Sequence, residues 1–239
     1  MAFRPRSDDL ILVQGLRGTR AVFDDWSARP WRVLGPWLAG SAAITATLLV
    51  SVIVIAHVVT PDPNPPMVLP GFGQNAGADG VAWYLWRNGL VLALHAMACV
   101  AGFIAGSTLP LEAEKYSGWW RWVHDKAGPL AILFVTAATL FSLITQAWSL
   151  GFGLSTLSFQ FDVSPQYLLM LLLPHAIPEL IALFLPLAAW IIASRRGEWD
   201  QLLAATFVTV GIAVPMLIAA ALTEVYVTPI LLRHALHLT

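Results

Sequence analysis

The chain has 239 residues, of which 58% are hydrophobic and only 11% charged, with a formal net charge of −1 and a mean hydropathy of +0.72. Soluble domains carry about 25% charged residues, so a water-soluble globular fold is excluded, and nothing here resembles a nucleic-acid-binding surface. Cys99 is the only cysteine, which excludes an intramolecular disulfide and any multi-cysteine metal centre.

Residues 1–35 are largely polar and charged, too long a stretch for the basic leader of a secretory signal peptide. Ser7 followed by Asp8 and Asp9 reads as a helix start, with acids at the positive end of the dipole. Leu12, Leu16, Val22, Phe23 and Trp26 then form an apolar stripe beside arginines. Two readings stand: an amphipathic helix on the inner leaflet, or a cytoplasmic arm docked on the bundle.

Residues 36–239 form the membrane domain. Five segments reach the roughly 20 apolar residues needed to span a bilayer, over about 36–59, 81–109, 127–148, 166–194 and 202–227, with Pro229 expected to stop the last. No period-two alternation is present, and lipid demands that backbone groups bond internally. The expected fold is therefore an all-α integral membrane bundle of about five transmembrane helices, preceded by the amphipathic or docked helix. The proline-rich stretch Pro61-Asp-Pro-Asn-Pro-Pro66, running on to Pro70, reads as an extended outer loop. The stretch 149–165 reads as a second outer loop, and Arg121-Trp-Val-His-Asp-Lys126 as an interfacial loop.

Basic residues set the orientation. Arg4, Arg6, Arg17, Arg20, Arg29 and Arg32 precede the first span; Lys115, Arg121 and Lys126 follow the second; Arg195 and Arg196 follow the fourth. Only Arg87 and Arg233 fall on the other side. The N-terminus is expected in the cytoplasm and the C-terminus outside, with Ser155 and Ser194 reachable from opposite faces. Many of the 11 tryptophans lie at the ends of apolar runs, as in an interfacial belt.

Against this apolar background, ionisable residues inside spans mark functional or structural polar contacts. His175 and Glu179 are spaced i, i+4 and share a helical face. Pro174 and Pro178 repeat that spacing and each removes a backbone donor, so the fourth helix is expected to bend or open there. Glu224, near the outer end of the last span, is placed to meet them. One histidine with two carboxylates suits a structural polar cluster, a proton or ion relay, or a divalent-metal site; His-x-x-x-Glu alone lacks the second histidine of a His-Glu-x-x-His site. His95, in mid-span, reads as a histidine bonded between helices. Asn88 is a candidate cap or cross-link, and Thr145 and Gln146 are equally open to either role. Gly102 and Gly106 have the spacing that lets another helix approach closely, from this chain or from a second copy. No nucleophile elbow, Ser-x-x-Lys or phosphate loop occurs.

The run Leu-Pro-His-Ala-Ile-Pro-Glu-Leu (173–180) resembles the Pro-His-Gly-x-x-Glu-Leu signature of the stage II sporulation protein M family. Glu224-Val-Tyr-Val-Thr-Pro229 looks like that family's closing Glu-x-Phe-x-x-Pro element, and Arg87-Asn88-Gly-Leu is similar to its asparagine-bearing helix. Order and spacing agree from about Trp83 to Pro229; Ala176 stands where the family typically has glycine. The resemblance implies a polytopic bacterial inner-membrane protein with His175, Glu179 and Glu224, and less directly Asn88 and Pro178, at its centre. The founding member resembles a scaffold that recruits cell-wall hydrolases during engulfment, while relatives occur in bacteria that form no spores. Two functional readings follow: a non-enzymatic scaffold or membrane-complex component with membrane or envelope protein partners, or a transporter-like or metal-dependent intramembrane hydrolase centred on His175, Glu179 and Glu224. No cofactor beyond a candidate divalent metal is expected.

Overall fold

In a lipid environment the backbone finds no hydrogen-bond partner but itself, and the described residues of this chain satisfy that demand almost entirely with helix. The computed structural model describes residues 19, 22–24, 26–63, 76–108 and 117–237. Among these, 92% are helical and none lies in a strand.

The helices are α1 (Pro30–Val58), α2 (Gly77–Phe103, closed by a π-turn over Ile104–Thr108), α3 (Gly118–Gln160) and α4 (Pro165–Arg196). After a 3-10 turn over Trp199–Gln201 come α5 (Leu202–Leu222), a second π-turn over Thr223–Val227, and α6 (Thr228–Leu236). Five of these stretches are long and apolar enough to cross a membrane, so the all-α, five-span expectation holds and fits a multi-pass membrane protein. Leu133, Phe134, Phe141 and Ile144 stand exposed along α3, the least buried of the five, which is the pattern of a lipid-facing surface.

Several boundaries differ from the sequence reading, each for a physical reason. The stretch 149–160 is not an outer loop but the last three turns of α3, whose 43 residues would extend roughly 64 Å at 1.5 Å per residue. Gly151 permits close packing there: a Cβ on it would stand 2.6 Å from Ile55 Cγ2 and 3.0 Å from the Val52 carbonyl oxygen. Ser155 is accordingly buried within the helix, and is no labelling site. Arg121 and Lys126 belong to the first turns of α3 rather than to a loop. Pro229 does not stop the last span; it sits in the first turn of α6, where the missing N–H would have had no helical partner anyway. The prolines of α4 do not open it either, for the helix is continuous through Pro174, Pro178 and Pro186.

Helix ends are closed by the local sequence. Gly197 (φ +72°) and Asp162 (φ +52°) adopt the left-handed conformation after α4 and α3. Glu198 N–H then bonds Ala193 O, and Val163 N–H bonds Ser158 O, both at 3.0 Å; each returns an orphan carbonyl to a partner in the Schellman manner.

Two compact units are distinguished by their internal contacts: residues 1–40, 94–139 and 185–211 in one, and 41–93, 140–184 and 212–239 in the other. In the first, Cys99, Leu185, Ala189, Leu202 and Ala204 are fully buried, and Cys99 Sγ–H donates to Pro186 O at 3.1 Å. The glycine face of α2 is covered from within the chain. A Cβ on Gly102 would come within 2.8 Å of Leu202 Cδ1 and Trp190 Nε1, and one on Gly106 would collide with the Trp199 ring. The close approach expected of Gly102 and Gly106 is real, and large side chains of this chain make it. His95, fully buried, belongs to this unit and not to the cluster of acids. Of the expected N-terminal helix, residues 1–18 lie outside the described residues; 22–24 and 26–28 are helical, and Trp26 packs edge-on against Trp37 at 5.1 Å between ring centroids. The prolines at 65, 66 and 70 also lie outside the described residues, and 61–63 are not helical.

In the second unit, Ser41 Oγ donates to Ile181 O at 2.6 Å, tying α1 to α4. Asp62 N–H donates to Thr156 Oγ1 at 3.2 Å, and His57 Nε2 lies 2.9 Å from Gln166 Nε2. Thr145 and Gln146 bond only backward within α3, to Phe141 O and Ser142 Oγ, which settles them as helix-internal groups.

Candidate functional site

The second unit carries the polar residues singled out by the sequence. His175 and Glu179 project from one face of α4 because they are four residues apart. Glu224 comes from the π-turn after α5, and the donor atoms of all three lie within 4.8 Å of one another. Each is buried, at 6%, 8% and 5% exposure respectively. Isolated charges at such depth are costly, so the surroundings must answer them.

Much of that answer comes from α2. Tyr84, Arg87 and Asn88 fall at i, i+3 and i+4 and so share a face. Tyr84 hydroxyl bonds the Glu224 carboxyl, while its ring packs with Ala221 and Val225. Exposed Arg87 lies over the Tyr84 ring, 5.7 Å from its centroid, and interacts electrostatically with both Glu179 and Glu224. Asn88 is buried against Glu179, although its Nδ2 completes no well-formed hydrogen bond. Glu224 Oε2 has no hydrogen-bond partner.

The π-turn sets the position of Glu224 and of the group that orients His175. Thr228 N–H bonds Thr223 O across five residues, and the Thr228 hydroxyl donates to the same carbonyl at 3.2 Å. With its one proton so used, Thr228 Oγ1 accepts from His175 Nδ1–H at 2.8 Å. That network assigns the Nδ1-protonated tautomer and leaves Nε2 with a bare lone pair.

The cluster lines a cavity of about 310 Å³. Leu49, Val52, Leu154, Leu157, Leu169 and Leu172 supply apolar wall, and Ala176 lies beside His175. Ligand sites have this form: an apolar hollow with a few convergent polar groups.

His175, Glu179 and Glu224 are thus brought together as the sequence led one to expect, with Asn88 beside them and Pro174 and Pro178 on the same helix. Asn88 is no cap, since α2 begins eleven residues earlier at Gly77. His95 is elsewhere. Tyr84, Arg87 and Thr228 were not foreseen as members; the spacing of Tyr84 and Arg87 from Asn88, and of Thr228 from Glu224, was the signal available. Comparison with protein-family models, with curated proteins and with solved structures finds no match to this chain.

Proposed function

We propose that the chain is a bacterial cytoplasmic-membrane protein of the stage II sporulation protein M type, N-terminus inside and C-terminus outside, that works as a membrane component binding a small amphiphilic ligand at the His175–Glu179–Glu224 pocket. The observation that carries this is the placement of the three ionisable groups on the wall of a cavity. A purely structural cluster would be packed shut with its polar atoms mutually satisfied. Here Glu224 Oε2 is left over, and the wall continues into leucines suited to an acyl or isoprenoid body. Orientation rests on the 11 basic residues on one side against two on the other. Membrane or envelope protein partners, as the resemblance implies, are compatible with a ligand-dependent pocket.

Photo-crosslinking tests the reading. A diazirine-bearing lipid analogue added to purified protein should label residues of the cavity wall. Ala176→Leu, which projects an isobutyl group into the cavity, should abolish that label, whereas Leu133→Trp on the exposed face of α3 should keep it. Equal labelling of the wall in both variants, or none in the parent protein, would leave a structural cluster in a scaffold as the better account.

A further inference from the structure

We propose that His175 Nε2 and the carboxylates of Glu179 and Glu224 hold a divalent cation of the zinc class, with a fourth coordination position open to the cavity. The inference rests on the pocket being a binding site, and it names what sits among the pocket's ionisable groups.

Three independent features support it. The donor set is right: one imidazole nitrogen and two carboxylate oxygens match the borderline ligands that zinc takes, and three protein ligands with one open position is the pattern of sites that do more than hold structure. The imidazole is prepared, because the bond from Nδ1–H to Thr228 Oγ1 fixes the ring and presents the Nε2 lone pair; outer-shell partners of this kind accompany nearly every metal-bound histidine. Finally, Glu224 Oε2 is buried and without a hydrogen-bond partner, while the carboxyl's side-chain hydrogen bond goes to Tyr84, so a carboxylate oxygen is held in reserve for an electron-pair acceptor.

Geometry and charge agree. Around a tetrahedral ion with bonds of about 2.1 Å, ligand atoms stand about 3.4 Å apart; one ligand atom from each of the three residues already lies within 4.8 Å of the others, so small side-chain rotations bring the set to an ion. Two carboxylates facing each other repel; a dication between them cancels both charges. Exposed Arg87 then remains as a surplus cation for an anionic group on whatever enters the cavity.

The full-length chain, purified in detergent, stripped with chelator and equilibrated with zinc or cobalt(II), should retain one ion per chain by elemental analysis. The cobalt form should show the intense visible absorption of a tetrahedral site. Glu224→Gln, Glu179→Gln and His175→Ala should each keep less than about a tenth of that metal at equal free zinc, as expected when a ligand and not merely an outer-shell partner is lost. Tyr84→Phe keeps every ligand and should weaken zinc binding by about 10-fold to 100-fold, so a folding defect in the ligand variants does not decide the matter alone. His57→Ala and His234→Ala, which alter exposed histidines outside the cluster, should leave uptake unchanged. The inference is overturned if the parent takes up no more zinc than Glu224→Gln, or if bound cobalt shows only the weak bands of an octahedral ion. Loss of metal with the cavity photo-adduct intact would remove this inference and keep the pocket; loss of both would remove the pocket as a site.

Discussion

Thr228→Val replaces a buried hydroxyl by a methyl group of nearly the same shape. The Thr223 carbonyl keeps the Thr228 backbone N–H, so it is not orphaned. His175 Nδ1–H is: its acceptor 2.8 Å away disappears and the ring is only 6% exposed. Leaving one buried donor unmet costs about 1–3 kcal/mol, and that is the expected loss. In a His175→Ala background there is no Nδ1 to strand, and Thr228→Val should then remove only the long 3.2 Å bond to Thr223 O, worth about 0.5–1 kcal/mol at most. Reversible unfolding in mixed micelles, with chelator present throughout, gives all four corners of the cycle. A coupling of about 1–2 kcal/mol is expected, well above the roughly 0.3–0.5 kcal/mol within which independent sites add. Equal losses in the two backgrounds would mean that His175 and Thr228 are not bonded, and the tautomer argument for the site would go with them.

The remaining predictions concern packing and topology. Gly151→Ala should destabilise, because its Cβ would meet Ile55 and the Val52 carbonyl; overpacking of about 1–3 kcal/mol outweighs the roughly 1 kcal/mol gained in helix propensity. Gly89→Ala meets nothing within 4 Å and should instead stabilise by up to about 1 kcal/mol, so a common sign for the two in the same unfolding assay would refute the packing argument. Ser41→Ala removes the 2.6 Å bond to Ile181 O and should lose about 0.5–1.5 kcal/mol, measured in the same way. Cysteines at exposed Ser164 and Asp200 should react with an impermeant maleimide from opposite sides of the membrane, since native Cys99 is fully buried; reaction of both in intact cells would overturn the orientation.

The spans were legible because lipid reduces the choice of backbone to helix, leaving apolar length as the signal. Where that signal is mixed, the reading failed. Residues 149–160 contain two glycines, four serines or threonines and a glutamine, a composition shared by outer loops and by tightly packed helix faces; only the approach of Ile55 to Gly151 tells them apart. His175 and Glu179 were legible from spacing alone. Tyr84 and Arg87 were not, since both resemble ordinary interfacial anchors until α2 turns their face toward Glu224. Pro229 was visible but ambiguous, as proline ends one helix and begins another with equal ease.

The π-turn over Thr223–Val227 has a consequence for how this chain tolerates change in length. Each residue advances a helix by about 100°, so the five residues act as a phase adjuster between α5 and α6. Deleting one of them would regularise the helix and leave Thr228 and the tail beyond it near their present phase, because a wide turn takes up one residue more than an α turn. Deleting one residue within α5 instead would swing Glu224, Thr228 and the tail by about a quarter-turn relative to the start of that helix. Membrane insertion and pocket assembly are therefore separable: a single-residue deletion in α5 should yield a protein that is fully inserted yet out of register at its polar centre, whereas one in the π-turn should keep the register.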